Sequence, residues 1–484
     1  MKYKWTVLTV TTVGVLMAGI DSRIVVIGLP QVAYALRADA EQAIWFTQAY
    51  VFGSTVALLL IGRVSDIFGR VKVYTLGFAI FTLGSLLTSL SQAPSELIVF
   101  RLLQGLGSAV LFSNSAAIIT DATPSNELGF SLGINQVAFR AGAMAGLTLS
   151  GLILSLTDWR ALFYINVPIG LFGTLWARRR LKEISRQERD APMDWLGFVL
   201  FTLCITCFLL ALTLAVYGYS TLTFVYSLLA ASAVSLVLFV RREMKFDHPL
   251  LDLGLLRIRE FTGGVVAQLL NALSWGAVLL LLSLYLQLVK GFTPLQAGLA
   301  ILPFDISFLA VGPLSGRLSD RYGHIPFTTS GLAIMSLSLY LFSTVGASTS
   351  YIQVALYLVV FGVGIGIFSS PNMSSIMGSV PAHRRGIASG FRATFFNIGF
   401  TLSFNVAVLV MAFSMPYSLI TSIISSSNPS GIPGVDRDLF ASALGRAYLW
   451  LSAINAAAIV PSVLRGRRVA DAQGNGPVAA EVQA

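Results

Sequence analysis

Charge is what this chain has least of. Only 11% of its 484 residues are Asp, Glu, Lys or Arg, where a soluble domain carries about 25%, so a solvated enzyme or nucleic-acid-binding domain is excluded along most of the length. Cysteine is almost missing: Cys204 and Cys207 stand alone, with three histidines in the whole chain. That excludes a disulfide framework and leaves little for a metal cluster. Their C-x-x-C spacing falls inside an apolar run and reads as small packing residues. No G-x-x-x-x-G-K-[ST] sequence occurs, so ATP is not the implied energy source. No cluster of histidines and carboxylates gathers near one end, so no covalent chemistry is expected and the chain does not read as an enzyme. The short alternating strands of a membrane barrel are absent as well.

What is present is apolar. Hydrophobic residues make up 55% of the chain and the mean hydropathy is +0.78. A bilayer core needs roughly 20 apolar residues per helix, and lipid forces the backbone to satisfy its own hydrogen bonds, so helices are the default. Runs bounded by charges or Pro/Gly breaks predict spans at 6–27, 44–61, 73–91, 96–117, 129–154, 160–177, 195–215, 222–240, 261–285, 295–314, 327–345, 351–370, 386–411 and 447–464. Fourteen spans put both termini on one side. The start, Met1-Lys2-Tyr3-Lys4-Trp5, is like a signal peptide, but Asp21-Ser22-Arg23 sits where cleavage belongs, so this run reads as a retained first span.

Lysine and arginine then orient the chain. The end carrying the termini holds 23 of them, the opposite end five (Arg37, Arg160, Lys290, Arg437 and Arg446), and Arg23, Arg101, Arg140 and Arg392 fall within spans. Positive loops stay in the cytoplasm, so both termini are expected there, in a multi-pass protein of the cytoplasmic membrane. The net charge of +10 is therefore an orientation signal, and no nucleic-acid partner is implied.

The chain also repeats itself. Gly62-Arg63-Val64-Ser65-Asp66-Ile67-Phe68-Gly69 returns as Gly316-Arg317-Leu318-Ser319-Asp320-Arg321-Tyr322-Gly323. Gly105, Gly107, Ser113, Pro124, Gly129, Gly133, Phe139 and Gly142 return as Gly362, Gly364, Ser370, Pro381, Gly386, Gly390, Phe396 and Gly399. Two related halves in one apolar chain are the build of alternating-access transporters. The organisation expected is a six-helix half over 1–177, a linker with two inserted helices over 178–260, a second six-helix half over 261–468, and a disordered tail over 469–484. The segment 412–446, rich in Ser, Pro and Gly, reads as a mobile loop with a short helix.

In the first repeated loop, Gly62 and Gly69 permit a tight turn and close helix approach. Asp66 can accept from helix N-termini or an arginine, and with Arg70 it can lock helix ends together. Gly316, Asp320 and Gly323 repeat the pattern, but His324-Ile325-Pro326 follows without basic residues. Here the sequence resembles the major facilitator superfamily, whose signature loop has this form. Arg101-Leu102-Leu103-Gln104-Gly105-Leu106-Gly107 resembles that family's R-x-x-Q-G-x-G motif, associated with proton coupling in antiporters. A dinucleotide reading of its glycines fails for want of a strand–turn–helix; on a membrane helix they are packing surfaces. Asp21 with Ile24, Val25, Leu29 and Pro30, and the stretch Trp159-Arg160 to Asn166-Val167-Pro168-Ile169-Gly170, resemble the fourteen-span drug–proton antiporter branch. The resemblance implies an all-α membrane protein of major facilitator fold, with two six-helix halves plus two inserted central helices. The chain departs from that branch at Arg23, where threonine is usual, at Leu147 and Ser150, where a proline and a glycine are usual, and at Glu127, where arginine is common.

Ionisable groups at membrane depth are costly and are functional candidates by default. Asp21 and Arg101 lie at similar depths and can pair if their helices are neighbours, as the resemblance implies. Asp305 falls near the midplane with Arg140 at a similar depth, which allows pairing across the halves, and Arg392 is shallow enough to snorkel. Asp21, Arg101 and Asp305 are thus the proton-coupling candidates. Candidate cavity residues are Gln48, Gln104, Asn135, Gln136, Arg140, Gln268, Asn271, Trp275 and Asn397. The function expected is proton-coupled transport of small organic compounds, with efflux by antiport as in multidrug resistance. No cofactor beyond the proton gradient is implied, and the partners are substrate, protons and lipid around a monomer. Import of an organic anion or nutrient with protons is the alternative, since four intramembrane arginines face two carboxylates. A transport-inactive membrane sensor is the alternative of another class.

Overall fold

The structure, a computed structural model, describes residues 3–124, 127–184, 193–217, 222–246, 249–380, 385–416, 419, 423 and 437–466; residues 59, 62, 63, 66, 128–130, 385 and 386 are described by backbone alone. The described residues are helical, with no strand among them. The first half holds α1 (Tyr3–Ala35), α2 (Ala40–Phe68), α3 (Arg70–Leu90), α4 (Pro94–Ala122), α5 (Leu128–Leu156) and the pair α6 (Ala161–Tyr164) and α7 (Asn166–Arg180). Next come α8 (Trp195–Tyr217) and α9 (Leu222–Glu243). The second half holds α10 (Arg259–Trp275) with α11 (Val278–Leu288), α12 (Pro294–Tyr322), α13 (His324–Ser343), α14 (Tyr351–Gly378), α15 (Arg385–Ala412), and α16 (Arg437–Ala457) with α17 (Ile459–Leu464).

Twelve of these segments are long and apolar enough to cross a membrane. The other two expected spans are α2, which is 29 residues long, and the pair α6–α7, broken at Ile165 so that neither piece is span-length. Tight starts come from sequence: Asp39, Thr293 and Ser350 each accept from the backbone N–H three residues on, and Gln42, Gln296 and Gln353 return the bond, which is the capping box. The predicted loop helix within 412–446 and the tail beyond 466 lie largely outside the described residues.

The sequence repeat is a structural repeat. Gly69 and Gly323 take φ of +101° and +92° between α2 and α3 and between α12 and α13, a conformation that only glycine adopts without strain. A Cβ added to Gly105 on α4 would stand 2.1 Å from the Tyr50 carbonyl oxygen on α2, and one added to Gly362 on α14 would stand 2.3 Å from that of Phe304 on α12. The same helix pair is thus drawn to backbone contact in both halves.

Among the described residues, the halves meet from the midplane toward one end and not at the other. Toward the end away from the termini a single apolar core runs through both, from Ile24, Ile27 and Phe163 to Val278, Phe304 and Phe404. There α5 touches α12, α2 touches α15, and the Gln287 amide donates to the Ile27 carbonyl at 3.3 Å. Toward the end carrying the termini the core divides. One cluster, around Tyr74, Phe78 and Ile118, belongs to the first half. Another, around Phe261, Ile376 and Phe391, belongs to the second half and the inserted α8–α9 hairpin. The molecule is therefore joined at one end and parted at the other.

Candidate functional site

Two buried ion pairs organise the interior, and they differ in where they lie. Asp21 on α1 is fully buried and Arg101 on α4 is 1% exposed, with a guanidinium–carboxylate distance of 2.5 Å. Gln104 donates to the other Asp21 oxygen at 2.8 Å and Asn166 at the start of α7 donates to it at 3.0 Å. Arg101 also donates to the Phe46 carbonyl and to Gln104, and lies over the Tyr50 ring at 4.4 Å. Ser85 on α3 accepts from Gln104 and Asn166 and donates to the Phe163 carbonyl. The R-x-x-Q-G-x-G spacing explains this: Arg101 and Gln104, three apart, share one helix face, while Gly105 and Gly107 let α4 close on α2 and α3. The network lies within the first half.

The second pair joins the halves. Arg23 on α1 donates to Asp305 on α12 at 2.6 Å, with both side chains about 9% exposed. The Arg23 guanidinium also faces the Phe304 ring at 5.5 Å, and the second Asp305 oxygen is buried without a hydrogen-bond partner. Asp305 lies roughly 16 Å along α12 at 1.5 Å per residue, about half a bilayer core. Sequence reasoning offered Arg140 as the partner across the halves. Arg140 instead stacks over Phe308 at 4.3 Å, and Arg23 takes the carboxylate. From sequence, Arg23 is a departure from the expected threonine and one of four arginines within spans, with no partner assigned. A cationic side chain in mid-span was the signal that identified it.

Arg140 opens onto a small cavity between the halves, about 30 Å³, walled by Gln268 and Trp275 on α10, Asn372 on α14 and Phe396 on α15. Arg23, Asp305 and Arg392 lie within Coulombic reach of Arg140. Arg392 on α15 is half-buried, and its Nε is buried with no hydrogen-bond partner. Gln268 Oε1, Trp275 Nε1 and Asn372 Oδ1 are buried without partners too. Asn271 also lines the cavity but is tied to Asn455 at 2.9 Å.

The remaining cavity candidates are elsewhere. Gln48 bridges to Thr401 and Asn405 across the joined end. Gln104 is spent in the Asp21 network, and Asn135 donates to Ser115 inside the first half. Gln136 is exposed on the parted side and Asn397 is half-buried. In the signature loop, the side chain of Asp66 and the surroundings of Gly62 lie outside the described residues. Arg70 pairs with Asp121 on α4 at 2.7 Å, and Glu183 accepts from the Arg70 and Val71 backbone amides at the start of α3. In the second copy Gly316 packs on Ser370, and Asp320 accepts from Ser374 at 3.4 Å. Glu127, the loop departure, pairs with Lys4.

The model of the Major Facilitator Superfamily matches residues 11–404. The chain belongs to this superfamily. It is 34% identical over 400 residues to the riboflavin transporter RibZ of Clostridioides difficile (strain 630), covering 83% of this chain and 86% of that protein. It is 28% identical over 396 residues to the tetracenomycin C resistance and export protein of Streptomyces glaucescens, covering 82% and 73%. Among solved structures, the POT family transporter PepTSo superposes with a TM-score of 0.68 at 15% identity, covering 96% of this chain and 98% of that one; this likeness is one of fold. The superfamily consists of carriers rather than enzymes, so this is a multi-pass membrane transporter.

Proposed function

We propose that the protein is a proton-linked secondary transporter of small organic compounds in the cytoplasmic membrane, with both termini cytoplasmic, working as an exporter. The single observation that carries this reading is the Arg23–Asp305 pair, a buried ion pair at mid-membrane whose two members belong to the two halves. Alternating access requires the halves to part at the joined end. A proton on Asp305 cancels the charge that holds Arg23, so protonation and opening of that end are coupled through one bond. Asp21 and Arg101 enter the proposal as a second coupling element, one that α1 and α4 must separate before Asp21 can take a proton. The excess of basic residues at the parted end supports an inward-facing state for this structure. Export is favoured by the named activity of the tetracenomycin C relative.

A second reading, uptake together with protons, is favoured by Arg140, which has two other arginines and one carboxylate within Coulombic reach. The test is transport into proteoliposomes of both orientations across a compound panel that includes riboflavin, with and without an imposed pH gradient. Accumulation that follows the gradient and is lost in Asp305→Asn supports proton linkage. Flux indifferent to the gradient overturns it.

A further inference from the structure

We infer that the midplane cavity binds an organic anion, its acidic group held between Arg140 and Arg392 and its flat unsaturated body laid against Trp275 and Phe396. The inference rests on the transporter reading and adds a substrate class to it. The charge count comes first. Arg23, Asp305 and Arg392 lie within Coulombic reach of Arg140, and the one carboxylate among them, Asp305, is already held by Arg23 at 2.6 Å. Arg140 has no hydrogen bond or ion pair among the described residues, only the face of Phe308, and Arg392 has a buried, unpartnered Nε. A guanidinium stays protonated, so both half-buried groups keep their charge. Two uncompensated positive charges at membrane depth leave an anion as the natural occupant, and a cation would meet repulsion from both.

The wall supplies the rest. Trp275 lies 6.2 Å from the Phe396 ring and 5.3 Å from Phe400, an aromatic surface for a planar group. Gln268 Oε1, Asn372 Oδ1 and Trp275 Nε1 are buried and unpartnered around the same cavity. Buried polar atoms normally find partners, and these offer two acceptors and one donor to polar atoms on the ring. The cavity, at about 30 Å³, holds little more than one water, so the occupant enters as the halves move.

The experiment is equilibrium binding to the purified full-length protein in neutral detergent, with matched sets of one aromatic body and three charges: 2-naphthoate, 2-naphthamide and 2-naphthylmethylammonium, and the corresponding anthracene set. The acid of a set is expected to bind at least tenfold more tightly than its amide and to raise the melting temperature most. Arg140→Gln/Arg392→Gln is expected to abolish that preference, and Arg140→Gln alone to raise the melting temperature of the empty protein by removing an unpaired charge. Tightest binding by the amide or ammonium, no binding in either set, or an acid preference that survives the double variant overturns the inference. Binding needs no gradient, so the two readings fail separately. Acid binding without pH-driven flux counts against the transporter reading alone, and pH-driven flux of a cation with no acid bound counts against the anion site alone.

Discussion

Replacing Asp305 by Asn tests whether the two halves are held by charge. In the structure Arg23 and Asp305 are each about 9% exposed and 2.6 Å apart, with little solvent between them and their partner. Removing one member of such a pair leaves the other buried and unpaired, at a cost of about 3–5 kcal/mol. That cost applies to the state in which the halves are joined, since parting them lets Arg23 reach water. With about 1.4 kcal/mol per tenfold change, the balance should move toward opening of the joined end by roughly a hundredfold or more. Spin labels at Leu156 and Ile352, both exposed near that end on α5 and α14, report it as a longer distance population, in a background with Cys204 and Cys207 replaced by alanine. The control is Arg23→Leu/Asp305→Leu. Replacing a buried pair with apolar residues is neutral or stabilising by about 1–4 kcal/mol, so the double variant should return to the joined state and lose its pH response. An unchanged distance distribution in Asp305→Asn refutes the reasoning. So does a double variant as open as the single one.

Three other outcomes are expected. Asp21→Asn should abolish pH-driven accumulation while leaving substrate binding measurable, and should lower the melting temperature because Arg101 is left as an unpaired buried charge worth about 3–5 kcal/mol; wild-type accumulation per folded molecule would make Asp21 a strut. Gly105→Ala should cost stability by about 1–3 kcal/mol or more through overpacking against the Tyr50 carbonyl, read as a lower melting temperature, whereas Gly133→Ala, which meets nothing within 4 Å, should be neutral. In a cysteine-free background, a membrane-impermeant thiol reagent on intact cells should label a cysteine at position 352 and spare one at 179; the reverse pattern would invert the orientation.

The helical architecture was legible because lipid leaves the backbone few options, and the halves because the repeated glycines serve the same helix contacts twice, as Gly105 and Gly362 show. Asp21 and Arg101 were legible as a pair because they share a depth and because the family resemblance makes their helices neighbours. Asn166 and Ser85 complete their network; Asn166 stands in a recognised stretch that does not say what it bonds to, and Ser85 carries no signal, since a small polar residue on a membrane helix looks the same whether it faces a charge or a backbone carbonyl. The partner of Asp305 was missed for a different reason. Depth along the membrane can be counted from sequence, but azimuth around the helix cannot be fixed against a helix from the other half. Arg140 and Arg23 both suit in depth, and only the placement of α1 and α5 around α12 decides between them.

The charge arrangement also bears on the direction of coupling, through the sign of a linkage. Binding and protonation are reciprocal: if one ligand raises the affinity for the other, the converse holds by the same factor. Antiport needs proton and substrate to compete, so substrate binding should release protons. An anionic group drawn toward Arg140 also attracts Arg23 and so competes with Asp305 for it. Anion binding and release of Arg23 from Asp305 are therefore linked, and uptake of a proton as the anion binds would be the behaviour of a symporter, the second reading above. A pH-indicator dye in weakly buffered detergent solution measures this directly as 2-naphthoate is added. Proton uptake that vanishes in Asp305→Asn favours entry of the anion with protons. Proton release favours export, and would require Asp21 rather than Asp305 to be the group that competes with substrate.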